Sequence, residues 1–200
     1  MSNDLQFPTL DALAARLVEE GAETLRFEID APVLVRRPDP REVVEDTRSF
    51  HTRGAASVSL VEEALRRSGR QAGTGISAPR EGEGIDEVRV GAVVFLRKRA
   101  GATTFQERIG IGRTANMDAC IPLPRISKYH AFLTESGGGY ELADARSTFG
   151  TEVDGVKLEP LVAVPVEDGA NLMLGPYAFR FHTIAGLIAH LERMNRVRQG

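Results

Sequence analysis

Residues 129–143 read Tyr129-His130-Ala131-Phe132-Leu133-Thr134-Glu135-Ser136-Gly137-Gly138-Gly139-Tyr140-Glu141-Leu142-Ala143. Two short runs rich in aromatic and aliphatic side chains, 129–134 and 140–143, flank a run of glycines, the residue that most readily adopts the conformations of a tight reversal. The pattern predicts two strands with a turn between them. Working outward, similar runs stand at 88–99, 107–112 and 119–121 on one side and at 151–153, 171–174 and 178–182 on the other. Many short strands with turn-forming residues between them indicate an antiparallel β-sandwich. No internal repeat at a fixed period accompanies them.

The segments outside this β half have other periods. Leu10, Leu13, Ala14, Leu17 and Val18 share one face at helical spacing, with Thr9 placed to cap the helix and Gly21 to end it. Leu25-Arg26-Phe27-Glu28-Ile29 alternates and predicts a half-buried strand; Val33-Leu34-Val35 either continues it past Pro32 or forms an edge strand. Ile184, Leu187, Ile188, Leu191 and Met194 predict a closing amphipathic helix. The fold expected is therefore mainly β: a sandwich over 87–183, an N-terminal helix-strand unit over 1–37 and a C-terminal helix over 184–200. Between them, 38–86 is rich in Arg, Glu, Gly and Ser and is expected to be mostly flexible linker. One short helix is predicted inside it, where Ser59-Leu60-Val61-Glu62 forms a capping box and Glu62/Arg66 and Glu63/Arg67 are spaced as ion pairs.

Charge and composition exclude several functions. A net charge of −3 gives no general attraction for nucleic acid or an anionic membrane, so any anion site must be local. Cys120 is the only cysteine, which rules out an internal disulfide and is compatible with a reducing cytoplasm. No apolar run approaches the roughly 20 residues of a membrane helix. The start, Met1-Ser2-Asn3-Asp4, lacks the basic and apolar regions of a secretory signal. A cytoplasmic protein is expected.

Five fragments of the β half fall in a telling order. They are Gly112-Arg113; Ser127-Lys128-Tyr129-His130; Ser147-Thr148-Phe149-Gly150-Thr151; Val153-Asp154-Gly155; and Glu167-Asp168-Gly169-Ala170-Asn171-Leu172-Met173-Leu174-Gly175. This succession resembles the signature of the forkhead-associated (FHA) domain, G-R, then S-x-x-H, then S-x-N-G-T, over nearly half the chain. The resemblance implies an FHA-like sandwich that binds phosphothreonine peptides, a non-enzymatic module acting with Ser/Thr protein kinases or their substrates. No cofactor is expected, and no metal, since His51, His130, His182 and His190 have no ligand spacing with carboxylates or Cys120; the charge balance predicts no nucleic-acid or membrane partner. Carried over by motif, Arg113 is the main phosphate ligand, Ser127 donates its hydroxyl to the phosphate, Lys128 adds positive charge and Thr148 touches the peptide. Gly112, His130 and Gly150 brace the loops. The chemistry agrees, because a phosphate with nearly two negative charges and three acceptor oxygens calls for a guanidinium and hydroxyl donors on rigidly held loops. One position departs from the signature: the Asn that binds the peptide backbone is Phe149 here, which offers no hydrogen bond. The alternative is a module of the same fold that binds its partner independently of phosphate, with Phe149 as an apolar contact.

Other constellations carry less. Ser127, His130 and Asp144 follow the order of a hydrolase triad, but no nucleophile elbow accompanies them. Gly110-Ile111-Gly112-Arg113-Thr114-Ala115 fits a dinucleotide fingerprint but needs a helix after it, and Pro122 and Pro124 stand close downstream. Cys120, in a predicted strand, reads as a small core residue rather than a nucleophile. Arg97-Lys98-Arg99 reads as a solvated strand end. Thr47, Thr52 and Thr74, with Arg48, Arg53 and Arg70 nearby, are candidate phosphorylation sites that the domain itself would then bind.

Overall fold

The structure, a computed structural model, describes residues 7–38, 88–99 and 107–199. The helix expected near Ser59 and the threonines Thr47, Thr52 and Thr74 lie outside the described residues. The described residues belong to one compact unit. Among the described residues no helix is long and apolar enough to cross a membrane.

Helix α1 (Leu10–Glu20) starts where the Thr9 side chain accepts the Ala12 N–H at 3.2 Å and stops at Gly21. The next segment corrects the sequence reading, because residues 25–29 do not form a strand. They belong to helix α2 (Ala22–Glu28) and its cap. Leu25 and Ile29 are alternate members of a period-two pattern, but they are also four residues apart, and both are buried. Phe27, the residue between them, is 90% exposed, so the apparent alternation was one helical face plus an outlying aromatic. Arg16 bridges Glu20 and Glu28 and so ties α1 to α2.

Strand β1 (Val33–Arg36) is no edge strand. It lies between β2 (Val93–Phe95) and the strand at Tyr177–His182, antiparallel to both. All four of its residues are buried. Leu34 enters the core between the sheets, while Val33 and Val35 face the helices. Burial on both faces explains an unbroken apolar run.

The remaining strands are β3 (Arg108–Gly112), β4 (Ala119–Cys120), β5 (Ala131–Ser136), β6 (Gly139–Asp144), β7 (Thr151–Val153), β8 (Val156–Lys157), β9 (Val164–Val166), β10 (Asn171–Leu174) and β11 (Tyr177–His182). One sheet has the order β2-β1-β11-β10-β7-β8 and the other β4-β3-β5-β6-β9. The expected sandwich is present, antiparallel except that β3 and β4 run parallel. The long strand expected over 88–99 shrinks to β2, because 90–91 turn and the ladder ends where the Leu96 N–H donates to the carbonyl of Pro32, which has no N–H to return. Sequence reasoning did not find β8 or β9: the first has two residues and the second contains Pro165, tolerated because β9 is an edge.

Ile111, Leu133, Leu142, Leu172, Leu174, Phe179 and Phe181 fill the space between the sheets. A second core lies on the other face of the six-stranded sheet. There Leu13, Leu17 and Leu25 meet Leu187, Ile188 and Leu191 of α3 (Ile184–Gln199). The candidate residues of the sequence analysis lie away from this layer, in the loops 113–118, 121–130 and 145–150.

Candidate functional site

Strand β3 ends at Gly112, and the loop 121–130 lies directly against it. A Cβ on Gly112 would stand 2.2 Å from the Lys128 carbonyl oxygen, so only glycine permits the approach. Three hydrogen bonds exploit that closeness. The Arg113 N–H donates to the Ser127 carbonyl at 3.0 Å, the Thr114 hydroxyl donates to the Lys128 carbonyl at 3.0 Å, and the His130 N–H donates to the Ile111 carbonyl at 2.8 Å. Arg113, Ser127 and Lys128 thus become neighbours although they come from two loops.

The third loop is joined through Ser127. Its Oγ accepts the Thr148 N–H at 3.0 Å and donates to Thr148 Oγ1 at 3.4 Å. The second of these bonds is long and therefore weak, which leaves the hydroxyl proton free to turn toward an incoming acceptor. Arg113, Lys128 and Thr148 are exposed, and neither cation forms an ion pair among the described residues.

Beneath this surface His130 acts as a buried brace. Its Nδ1 accepts the Ser127 N–H at 3.1 Å, so the proton sits on Nε2, which donates to the Gly150 carbonyl at 3.1 Å. One neutral ring therefore links the second loop to the third. Burial holds its pKa below the ordinary value of 6.5. Gly150 has a φ of +82°, a left-handed conformation that glycine adopts without strain. Gly175, in the β10–β11 turn, donates its N–H to the same Gly150 carbonyl at 2.9 Å.

Asp144 shapes the third loop from within. Its carboxylate accepts the Ser147 N–H at 3.0 Å, the Ser147 hydroxyl at 2.6 Å and the Thr151 hydroxyl at 2.7 Å, and Ser147 Oγ in turn accepts the Gly150 N–H at 2.9 Å. Burial alone would raise this carboxyl; the hydrogen bonds from Ser147 and Thr151 outweigh it and hold the group below the usual range. Sequence reasoning missed that role. The available signal was an Asp three residues before a Ser, a spacing at which a carboxylate readily accepts from the turn it begins. Gly175 was quoted within a motif but not placed at the site, and nothing local marks it.

Phe149 occupies the outer edge of the third loop. It is 53% exposed, with the Arg125 guanidinium 5.8 Å from its ring centroid. The loop therefore turns an aromatic outward where the signature has an amide.

The other arrangements dissolve on inspection. Both ring nitrogens of His130 are bound to backbone groups and Asp144 is bound to Ser147 and Thr151, so Ser127, His130 and Asp144 form no triad. After Gly112 the chain makes turns and enters β4, so the glycine-rich fragment opens no helix. Cys120 is half-buried; its thiol donates to the Arg113 carbonyl at 3.6 Å, and burial pushes its pKa up, away from nucleophilic character. In the Arg97-Lys98-Arg99 run the two arginines are exposed, as a solvated strand end requires, although Arg97 also meets Asp30 and the half-buried Lys98 lies 2.8 Å from Asp118. Among the described residues no group of three or more His, Cys, Asp or Glu side chains is placed to hold a metal ion.

Comparison with known proteins gives consistent matches. Residues 109–175 match the family described as "FHA domain". Among curated proteins, the transcriptional regulatory protein EmbR of Mycobacterium bovis and of Mycobacterium tuberculosis is 24% identical over 146 residues, 73% of this chain and 33% of EmbR. The chain thus spans about a third of the length of the curated relatives it matches. Solved structures with similarity include Mycobacterium tuberculosis EmbR in complex with a low-affinity phosphopeptide, at 26% identity, 38% of this chain, 20% of that chain and TM-score 0.35. Another is the N-terminal FHA domain of S. cerevisiae Rad53p in complex with a phosphothreonine peptide, at 22% identity, 38% of this chain, 66% of that chain and TM-score 0.35.

Proposed function

We propose that the FHA domain matched at residues 109–175 makes this chain a phosphothreonine-peptide-binding module, a non-enzymatic interaction protein that recognises targets of Ser/Thr protein kinases in the cytoplasm. The observation that carries the reading is the junction at Ser127. Its carbonyl holds the Arg113 backbone, and its hydroxyl holds Thr148 from the third loop, so a guanidinium, an ammonium and two hydroxyls come from loops fixed to one another.

The chemistry follows from that junction. Phosphothreonine brings close to two negative charges and three acceptor oxygens. In this reading the Arg113 guanidinium donates to two of those oxygens at once, a geometry that lysine copies poorly. Ser127 gives up its long bond to Thr148 Oγ1 and donates to the phosphate, Lys128 adds charge beside it, and the released Thr148 hydroxyl meets the peptide. His130, Gly112 and Gly150 touch no ligand; they keep the loops in register. The supporting geometry exists before the ligand arrives, so little ordering entropy is spent on binding.

A second reading rests on one observation, the outward-facing Phe149. There the same loops hold a partner through an apolar contact and need no phosphate. Calorimetry separates the two, using a phosphothreonine peptide selected from a library and its unphosphorylated form. The phosphate reading expects binding only of the phosphorylated peptide, loss of binding in Arg113→Ala and a clear weakening in Arg113→Lys. Equal affinity of wild type and Arg113→Ala overturns it.

A further inference from the structure

The helix-facing side of the six-stranded sheet carries a group of cations that the site loops do not use. Arg37 continues the β1 ladder by one residue, its N–H donating to the Ala178 carbonyl at 2.8 Å. Alternation from Val35, which faces the helices, puts the Arg37 side chain on that side as well. Val35 pairs with Arg180, so Arg180 shares the face. Helix α3 borders the two arginines through His190, whose ring stacks on the buried His182 at 5.1 Å, and through Arg193, one turn further along.

These arginines are held in place and yet not neutralised. Arg180 Nε donates to the Gly169 carbonyl at 2.9 Å, which orients its guanidinium. Its terminal nitrogens have no protein partner among the described residues. Arg37 and Arg193 are exposed, and among the described residues none of the three forms an ion pair. His190 registers the result. Burial first, and then Arg193, Arg180 and Arg37, hold its pKa below the ordinary 6.5, while Asp168 opposes them. The Asp168 carboxylate is itself engaged, for its Oδ1 accepts the Thr183 N–H at 2.8 Å and the Thr183 hydroxyl at 3.1 Å. Three permanent positive charges therefore act on one spot of a chain whose net charge is −3. A local field of this kind draws anions that the molecule as a whole repels.

We propose that Arg37, Arg180 and Arg193 form a docking surface for an acidic segment of a protein partner. The surface is separate from the phosphate site and does not depend on the phosphate reading. Charge complementarity gives the class of partner, and spacing gives its form. Arg37 and Arg180 are diagonal cross-strand neighbours, about 7–8 Å apart at the backbone. In an extended chain every second side chain points the same way, at a spacing of about 6.6 Å. Carboxylates at alternate positions of such a segment meet Arg37 and Arg180 together, and Arg193 adds its charge from the helix. A nucleic acid or an anionic membrane calls for a broad positive face, which a net charge of −3 does not supply.

The test uses the full chain and a fluorescent peptide of alternating Glu and Ser, with alternating Gln and Ser as control. Anisotropy should show binding of the Glu peptide alone, lost as salt rises from about 0.05 M to about 0.5 M. The double variant Arg37→Glu/Arg193→Glu should weaken binding about tenfold or more. Arg37→Lys/Arg193→Lys keeps the charge and should stay within about threefold of wild type. Both positions are exposed, so neither variant removes a buried contact, and the unfolding midpoint checks the fold. Equal binding of the Glu and Gln peptides, or none of either, overturns the proposal. Binding that persists at the higher salt, or that survives in the Glu double variant, does the same. Loss of binding in Arg113→Ala would give the acidic peptide to the site loops. Tighter binding of a duplex oligonucleotide or of phosphatidylserine vesicles, abolished in the Glu double variant, would assign the surface to nucleic acid or membrane instead.

Discussion

Helices α1, α2 and α3 hold their face of the six-stranded sheet by apolar contact, with Leu13, Leu25, Leu187, Ile188 and Leu191 almost fully excluded from water. The three site loops are joined by the opposite means. Ser127 and His130 connect them, and Asp144 and Ser147 shape the third from within, through hydrogen bonds of which most are to backbone groups. Apolar contact is non-directional and large in sum, so it stabilises without fixing any one atom closely. A hydrogen bond contributes only about 0.5–1.5 kcal/mol net, but it sets a distance and an angle. Each property therefore has its own place in the molecule. Stability resides chiefly in the apolar layers, and the placing of the candidate site's side chains in the polar loops.

The largest effect expected from this division is in the helix layer. Leu187 is fully buried there, and Leu187→Ala should lower the unfolding free energy by about 2–5 kcal/mol, the usual range for a core leucine. Chemical denaturation measures it. Phosphopeptide affinity, read under conditions where the variant remains folded, should be unchanged. A loss of stability below about 1 kcal/mol would mean that the helices are not part of the cooperative unit, and the comparison would fail.

A smaller effect concerns both regions at once. Burial lowers the pKa of His130 under the site and of His182 and His190, which stack at 5.1 Å where β11 meets α3. For His190 the nearby Arg193, Arg180 and Arg37 push the same way, while Asp168 opposes the shift at His182. The unfolded chain takes up protons near 6.5 that the folded chain refuses, so stability is fully present above that value and falls as pH drops below it. A fully buried neutral histidine contributes a slope of at most about 1.4 kcal/mol per pH unit. Denaturation at about pH 7.5 and about pH 5.5 should therefore show a clear loss at the lower pH. Asp144 and Asp118 do not interfere, since both are held below the ordinary 3.8 and their contributions persist through this window. Affinity is the wrong readout here, because the second ionisation of phosphate, near pH 6, falls in the same range.

How much of this was legible in the sequence follows the same division. The strands β5, β6, β7, β10 and β11 could be read because turn residues separate them and their apolar residues face one core. β1 was misplaced because Leu34 faces one core and Val33 and Val35 the other, which erases alternation. α2 was misread because residues 25, 27 and 29 satisfy a period of two while only Leu25 and Ile29 are buried. At the site, Gly112, Arg113, Ser127, His130 and Thr148 could be found because a motif fixes their order. Gly175 and Arg125 could not, since their proximity arises only when separate loops meet in space; Asp144 left a local signal, its spacing to Ser147, that the motif does not include. The exposure of Val156, Leu161 and Val162 was equally hidden, since each looks like an ordinary core residue in the sequence.

The smallest expected effect bears most directly on function, and it concerns Phe149. The signature this loop resembles carries Asn there, bonded to the backbone of the peptide. Phe149 is 53% exposed, so Phe149→Asn removes little buried surface and should leave stability within about 0.5 kcal/mol of wild type. Binding should then change in two directions. A short phosphothreonine peptide gains one hydrogen bond, worth about 1 kcal/mol or several-fold in affinity. A peptide extended by an apolar segment gains the same bond but loses contact with the aromatic ring, so its advantage over the short peptide should shrink. Calorimetry with both peptides on both proteins gives the four affinities required. If Phe149→Asn tightened the short and the extended peptide equally, Phe149 would be a lost clamp and nothing more. If it left the short peptide unchanged and weakened only the extended one, the peptide backbone would not pass within reach of residue 149. A gain on the short peptide together with a smaller advantage for the extended one is the result that assigns both the phosphate loops and an apolar contact at Phe149 to one ligand.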